Sequence, residues 1–223
     1  MGETIRLKSA DGFSPSAYAA GPADATKGVV VVQEIFGVNP HIRDVADRFA
    51  GLGYAVVAPA LFDRVEPGVE LGYTQDDIDK GREYRMKLSD ADVIKDIEAA
   101  ANHLAGRKLG IVGYCFGGTV AWWGATRTTK FAACSAWYGR GIVETKDDQP
   151  NAPVQMHFGE KDASIPMTVV DAIRAAQPNV EIYIYEGAQH GFGCDARASY
   201  SKPAYELAQQ RTLEFFARHL SLS

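Results

Sequence analysis

The sequence has little cysteine, no excess of positive charge and no long apolar run, and each shortage excludes a class of protein. Three cysteines, Cys115, Cys134 and Cys194, occur in 223 residues, and no two form a Cys-x-x-Cys pair. That spacing argues against a disulfide framework and against a structural zinc site. Lys and Arg number 23 against 28 Asp and Glu, a net charge of −5. Nucleic acid is therefore not the expected partner, because neutralising phosphates takes clustered basic side chains. No stretch reaches the length of about 20 apolar residues that a bilayer span needs, and the opening residues, MGETIRLKSADG, lack the apolar segment of a secretory signal. A cytoplasmic protein with no membrane partner is expected, with a monomer as the favoured state. No repeat, low-complexity tract or Pro/Ser-rich linker divides the chain, so residues 1–223 are expected to form a single domain.

What is present is an alternation of strand and helix patterns. TIRLKS and SPSAYAA (residues 4–9 and 14–20) suggest two short edge strands. KGVVVVQ (residues 27–33) is a continuous β-branched run suited to a strand buried on both faces. Asn39-Pro40 supplies a helix cap and first turn, and Ile42, Val45, Ala46 and Phe49 follow at helical spacing up to Gly51. Further strands are expected at YAVVAP, KLGIVG, FAACSAWY, APVQMHFG and VEIYIYE. Helices are expected over residues 75–86, 90–104, 116–126, 166–176 and 203–220, with residues 61–73 irregular. The fold class is α/β, a doubly wound, mostly parallel sheet with helices on both faces. In such sheets ligands bind beyond the carboxyl ends of the strands.

That rule selects Glu34, Cys115, Asp162 and His190, each just past a predicted strand. Gly113-Tyr114-Cys115-Phe116-Gly117 is a G-x-C-x-G turn, a nucleophile elbow with sulfur where serine is commoner. A tight strand-to-helix turn pushes its central side chain out at the top of the sheet. It also aims a helix N-terminus at the site, which favours a thiolate and a developing oxyanion. The plain alternative for Cys115 is an inert buried thiol. His190 lies in the glycine-flanked loop EGAQHGF. His41, His103 and His219 fall on predicted helices and His157 inside a strand, which leaves His190 as the candidate general base. Asp162 is placed to orient an imidazole, with a helix-capping role and the neighbouring Glu160 as competitors. Glu34, directly after the most apolar strand, is either a desolvated carboxyl that exchanges a proton with Cys115 or a carboxylate bound by loop N–H groups.

Four segments, QEIFGVN, GYCFGG, GEKD and AQHGF (starting at residues 33, 113, 159 and 188), resemble in order the signatures of the dienelactone hydrolase family of α/β-hydrolases, and the resemblance covers nearly the whole chain. It implies Cys115 as nucleophile, His190 as base and acid, Asp162 as orienter and Glu34 as a contact of the resting thiol. It also implies oxyanion-hole amides at Ile35 and Phe116. The implied reaction is hydrolysis of a small lactone or enol ester, such as carboxymethylenebutenolide, through a cysteine acyl-enzyme, with no metal and no organic cofactor. Other small-ester or thioester hydrolysis, or a thiol-sensing scaffold without turnover, are the alternatives. Family members acting on dienelactone grip a substrate carboxylate with two arginines. Arg82 lines up with the first, and Cys194, beside Asp195, stands at the second. Arg64, Arg140 and Arg197 are substitutes for it, each read otherwise as a surface residue. Met86 and Ser89 stand where the family places aromatic pocket residues, with Tyr84 as a substrate-binding substitute.

Overall fold

The computed structural model describes residues 2–221. Eight strands build one sheet: β1 (Glu3–Arg6), β2 (Ser16–Ala20), β3 (Lys27–Val32), β4 (Ala55–Pro59), β5 (Lys108–Tyr114), β6 (Ala133–Trp137), β7 (Val154–Gly159) and β8 (Glu181–Tyr185). Their order is β1-β2-β4-β3-β5-β6-β7-β8, antiparallel across β1, β2 and β4 and parallel from β4 through β8. β2 is therefore not an edge strand, because β1 covers its outer side. The predicted edges differ from the observed ones, β1 and β8, for that reason.

Five helices lie in the connections between strands, α1 (Pro40–Gly51), α2 (Gln75–Lys87), α3 (Asp90–His103), α4 (Phe116–Arg127) and α5 (Met167–Ala176), and α6 (Lys202–His219) follows the last strand. Asn39 caps α1 by accepting a hydrogen bond from the Ile42 amide, and Thr74 and Asp77 close a capping box on α2. Within the region read as irregular, Leu61–Arg64 forms a 3₁₀ turn. Successive residues of β5 show how the sheet is covered. A Cβ on Gly110 would meet Phe216 and Leu220 of the α6 end, whereas Ile111 packs towards Gly124 of α4. Neighbouring positions on a strand point to opposite faces, so α4 and α6 lie on opposite sides of the sheet.

Val29, Val30, Val31 and Val32 have no exposed surface, and complete burial of each such side chain stabilises the fold by roughly 1.5–3 kcal/mol. β3 is thus the anchored centre. From it the chain runs first to β4 on one side and then to β5 on the other, which makes the carboxyl ends of β3 and β5 a topological switch point. Val32 pairs with Gly113, so Glu34 and Cys115, each two residues further on, leave the sheet at the same level.

Candidate active site

Cys115 joins β5 to α4 with φ 57° and ψ −116°. A non-glycine residue held there costs on the order of 1–3 kcal/mol. Its amide donates to the Trp137 carbonyl, and its carbonyl accepts from Gly118, which fixes the turn from both sides. Gly117 must lack a side chain, because a Cβ would collide with the Val32 and Gln33 carbonyls. The thiol stays half-buried and faces a cavity of about 730 Å³, a size usual for a small-molecule site.

His190 Nε2 lies 3.2 Å from Cys115 Sγ, and His190 Nδ1 lies 2.7 Å from Asp162 Oδ2. Asp162 is itself immobilised. Its Oδ1 accepts from the Ser164 amide (2.8 Å), the Ser164 hydroxyl (2.6 Å) and the Ile165 amide (3.2 Å), leaving Oδ2 for the imidazole. The Tyr138 ring, from a residue with φ 39°, stands edge-on to His190 at 5.3 Å. Burial draws the His190 pKa down, but the negative charge of Cys115 and the hydrogen bonds to Asp162 and Cys115 outweigh it and hold the imidazole at about 10. Burial likewise raises Asp162, yet its bonds to His190 and Ser164 keep the carboxyl below its usual range. The line can carry a proton between sulfur and imidazole with the ring tautomer fixed by Asp162.

Ile35 and Phe116 both border the cavity. Phe116 opens α4, where the first amides have no intrahelical acceptor, so an N-terminal donor is available beside the sulfur. Glu34 is fully buried, but its carboxylate turns to Arg197, with Oε1 3.3 Å from Nη1. No hydrogen bond joins it to Cys115, in contrast to the expected contact with the resting thiol. A guanidinium is the stronger partner for a buried carboxylate.

Arg197 is not a surface residue. Its side chain is 17% exposed, borders the cavity and lies over the Phe36 and Tyr73 rings. Gly191, at φ 76°, lets it pass, since a Cβ there would strike the guanidinium. That glycine, directly after His190, is the sequence signal that Arg197 needs. Arg64 is also buried, but it serves an ion-pair cluster with Asp96 and Asp11 away from the cavity. Arg140 and Arg82 do border the cavity. Arg82 is 64% exposed, with Asp79 3.4 Å away. Arg85, missed in the sequence, borders it too, over the Phe116 ring and hydrogen-bonded to Asp90. Tyr84 does not reach the site: it is buried against Phe62, and its hydroxyl donates to Glu66. Ser89 caps α3, and Met86 borders the cavity.

The model of the dienelactone hydrolase family matches residues 16–220. The chain belongs to that family. Among its relatives, a Synechocystis protein named "Putative carboxymethylenebutenolidase" is 39% identical over 212 residues, 86% of each chain. An Escherichia coli K12 protein of the same name is 34% identical over 86% of this chain and 76% of its own. The crystal structure of a "Putative Dienelactone Hydrolase" from Klebsiella pneumoniae superposes with a TM-score of 0.85 at 35% identity, covering 98% of both chains. Membership in the dienelactone hydrolase family makes the protein a carboxylic-ester hydrolase on the α/β-hydrolase fold. Among the described residues no helix is long and apolar enough to cross a membrane.

Proposed function

We propose that the protein hydrolyses a small lactone or enol ester of the carboxymethylenebutenolide kind by way of a thioester on Cys115. The observation that carries this reading is the hydrogen-bonded line from Cys115 through His190 to Asp162, opening on one cavity. The thiolate attacks the substrate carbonyl, and the oxyanion is received by the amides of Ile35 and Phe116. Collapse forms the thioester and breaks the ester C–O bond, while His190 gives its proton to the departing oxygen. Neutral His190 then takes a proton from water, whose oxygen attacks the thioester and releases the acid and Cys115. In this sequence His190, rather than Glu34, exchanges the thiol proton. Glu34 acts as a positioning residue that anchors Arg197.

Arg82, Arg140, Arg197 and Lys161 border the cavity against the acidic Glu144 and Asp162. Arg140 makes no ion pair among the described residues, so positive charge is available for an anionic substrate. The names of the curated relatives agree with such a substrate. With p-nitrophenyl acetate, rapid mixing should give a burst of nitrophenolate followed by slower turnover. Cys115→Ala should abolish the burst and lower turnover at least ~10³-fold. Wild-type turnover in Cys115→Ala would remove the cysteine acyl-enzyme.

A further inference from the structure

We propose that Glu34, His41 and Cys194 form a binding site for one borderline divalent ion of the zinc kind, outside the lining of the catalytic cavity. Three separate segments supply it: the loop after β3, the first turn of α1, and the loop beyond His190. Their ligand atoms lie within 4.8 Å of one another. No sequence spacing announces such a set, which is why cysteine usage alone argued against zinc.

All three residues are buried, and Glu34 and His41 hold atoms without a hydrogen bond, whereas the Cys194 sulfur faces the Tyr73 hydroxyl. Glu34 and Cys194 are fully buried, and His41 nearly so. Glu34 Oε2 and both ring nitrogens of His41 make no hydrogen bond, and a buried polar atom left unpaired costs about 1–3 kcal/mol. Zinc binds sulfur at about 2.3 Å and imidazole nitrogen or carboxylate oxygen at about 2.0–2.2 Å, so ligand atoms around it sit roughly 3.4–3.6 Å apart. Side-chain shifts of about an ångström would close the set.

The surroundings suit an ion. Asp195 Oδ1 lies 3.4 Å from His41 Nδ1, where a carboxylate orients an imidazole that ligates through its other nitrogen. Arg197 occupies Glu34 Oε1 and leaves Oε2 free. One carboxylate and one thiolate offer two negative charges to a divalent ion, with the Arg197 guanidinium on the far oxygen of Glu34. The mixture of sulfur, nitrogen and oxygen selects zinc or cobalt over magnesium or calcium, which take oxygen ligands. On binding, Cys194 releases its proton to solvent as the metal–sulfur bond forms, with no change of oxidation state. Three protein ligands leave a fourth position for water.

The test is titration of the metal-stripped full-length protein with Co²⁺. One equivalent should produce a thiolate-to-cobalt charge-transfer band with the visible bands of a tetrahedral ion, and Zn²⁺ should displace it. Cys194→Ser should abolish the charge-transfer band, His41→Gln should weaken binding at least tenfold, and Cys115→Ser should retain both bands. Failure to bind, a band that survives Cys194→Ser, or a band lost in Cys115→Ser would each overturn the proposal, the last by placing the ion on Cys115 and His190. Should Cys194→Ser lose its native circular dichroism, Cys194→Ala gives the same reading, while Glu34→Gln should weaken binding and keep the charge-transfer band of any ion bound. The readout is absorption, so it stands or falls apart from the hydrolytic reading.

Discussion

Two histidines, both with both ring nitrogens engaged, behave in opposite ways. His190 sits in a loop beyond β8 between Asp162 and Cys115, and its pKa is held at about 10. His157 sits inside β7, with Nδ1 2.7 Å from the Tyr185 hydroxyl and Nε2 2.9 Å from Gln155 Oε1 and 3.2 Å from Thr212 Oγ1. Its pKa is pushed down to about 3 by burial, helped by Arg211. Burial pulls both rings towards the neutral form, so burial does not distinguish them. The partners do: the Asp162 carboxylate and the Cys115 sulfur at one ring, uncharged oxygens at the other. One imidazole is therefore built to hold a proton, and the other to remain a neutral strut.

The largest expected effect is on turnover. His190→Ala should lower kcat by about 10²–10⁴-fold, the usual worth of general acid–base catalysis, and should also lower the urea midpoint at neutral pH, where the raised pKa contributes stability. His157→Ala should leave kcat within a few-fold, yet cost about 2–4 kcal/mol of stability, since it opens a cavity and strands buried Gln155 and Tyr185 groups. Turnover and urea unfolding on the same preparations measure both. Equal effects of the two substitutions on kcat would erase the distinction.

Next in size is the His190 titration itself. Cys115→Ala removes the largest influence raising the pKa, so the imidazole followed by NMR should titrate well below 10, with Asp162 left to oppose burial. The linkage has a definite sign. A pKa raised above the unfolded value near 6.5 gives stability that is fully present below that pH and is lost as pH rises through about 10. The alkaline loss of stability should therefore be shallower in Cys115→Ala than in wild type. An unchanged His190 pKa would show that Asp162 alone holds the proton.

His157 predicts the mirror image. Its folded pKa lies below the unfolded 6.5, so its contribution is complete above that pH and fades as pH falls towards about 3. The stability difference between wild type and His157→Gln should narrow on acidification over that interval, as read from urea midpoints. A constant difference would mean that His157 does not change its protonation on unfolding.

The comparison also shows which parts of the molecule a sequence can disclose. Alternating strand and helix patterns fix where each strand ends, and side chains just past those ends converge whenever the sheet is parallel. Cys115, His190 and Asp162 could therefore be placed in one cleft from chain order alone. Glu34 reached the same level of the sheet, but its partner could not be read, because Arg197 arrives from a loop whose path depends on Gly191 and on the Phe36 and Tyr73 rings. Tyr84 failed for a reason visible in helical geometry. Arg82, Arg85 and Met86 share the i, i+3, i+4 face of α2 that borders the cavity. Tyr84, two positions from Arg82, lies about 200° round the helix and goes with Gly81 into the core.

The smallest effect is expected at that cavity-facing edge of α2. Arg82 is 64% exposed, and Asp79, 3.4 Å away, makes a loose partner, so its charge acts through solvent. Arg82→Ala should raise KM for carboxylate-bearing lactones by less than about tenfold and leave neutral esters unchanged. Arg85 differs from it by one turn of the same helix. Its guanidinium lies 4.6 Å from the centre of the Phe116 ring and hydrogen-bonds Asp90 and the Leu88 carbonyl, so it braces the residue that opens α4 beside the nucleophile. Arg85→Ala should therefore lower kcat for neutral and acidic substrates alike. A neutral-ester KM that rises with Arg82→Ala as much as the acidic one would move Arg82 into the same bracing class and leave Arg140 and Arg197 as the groups that read the substrate's charge.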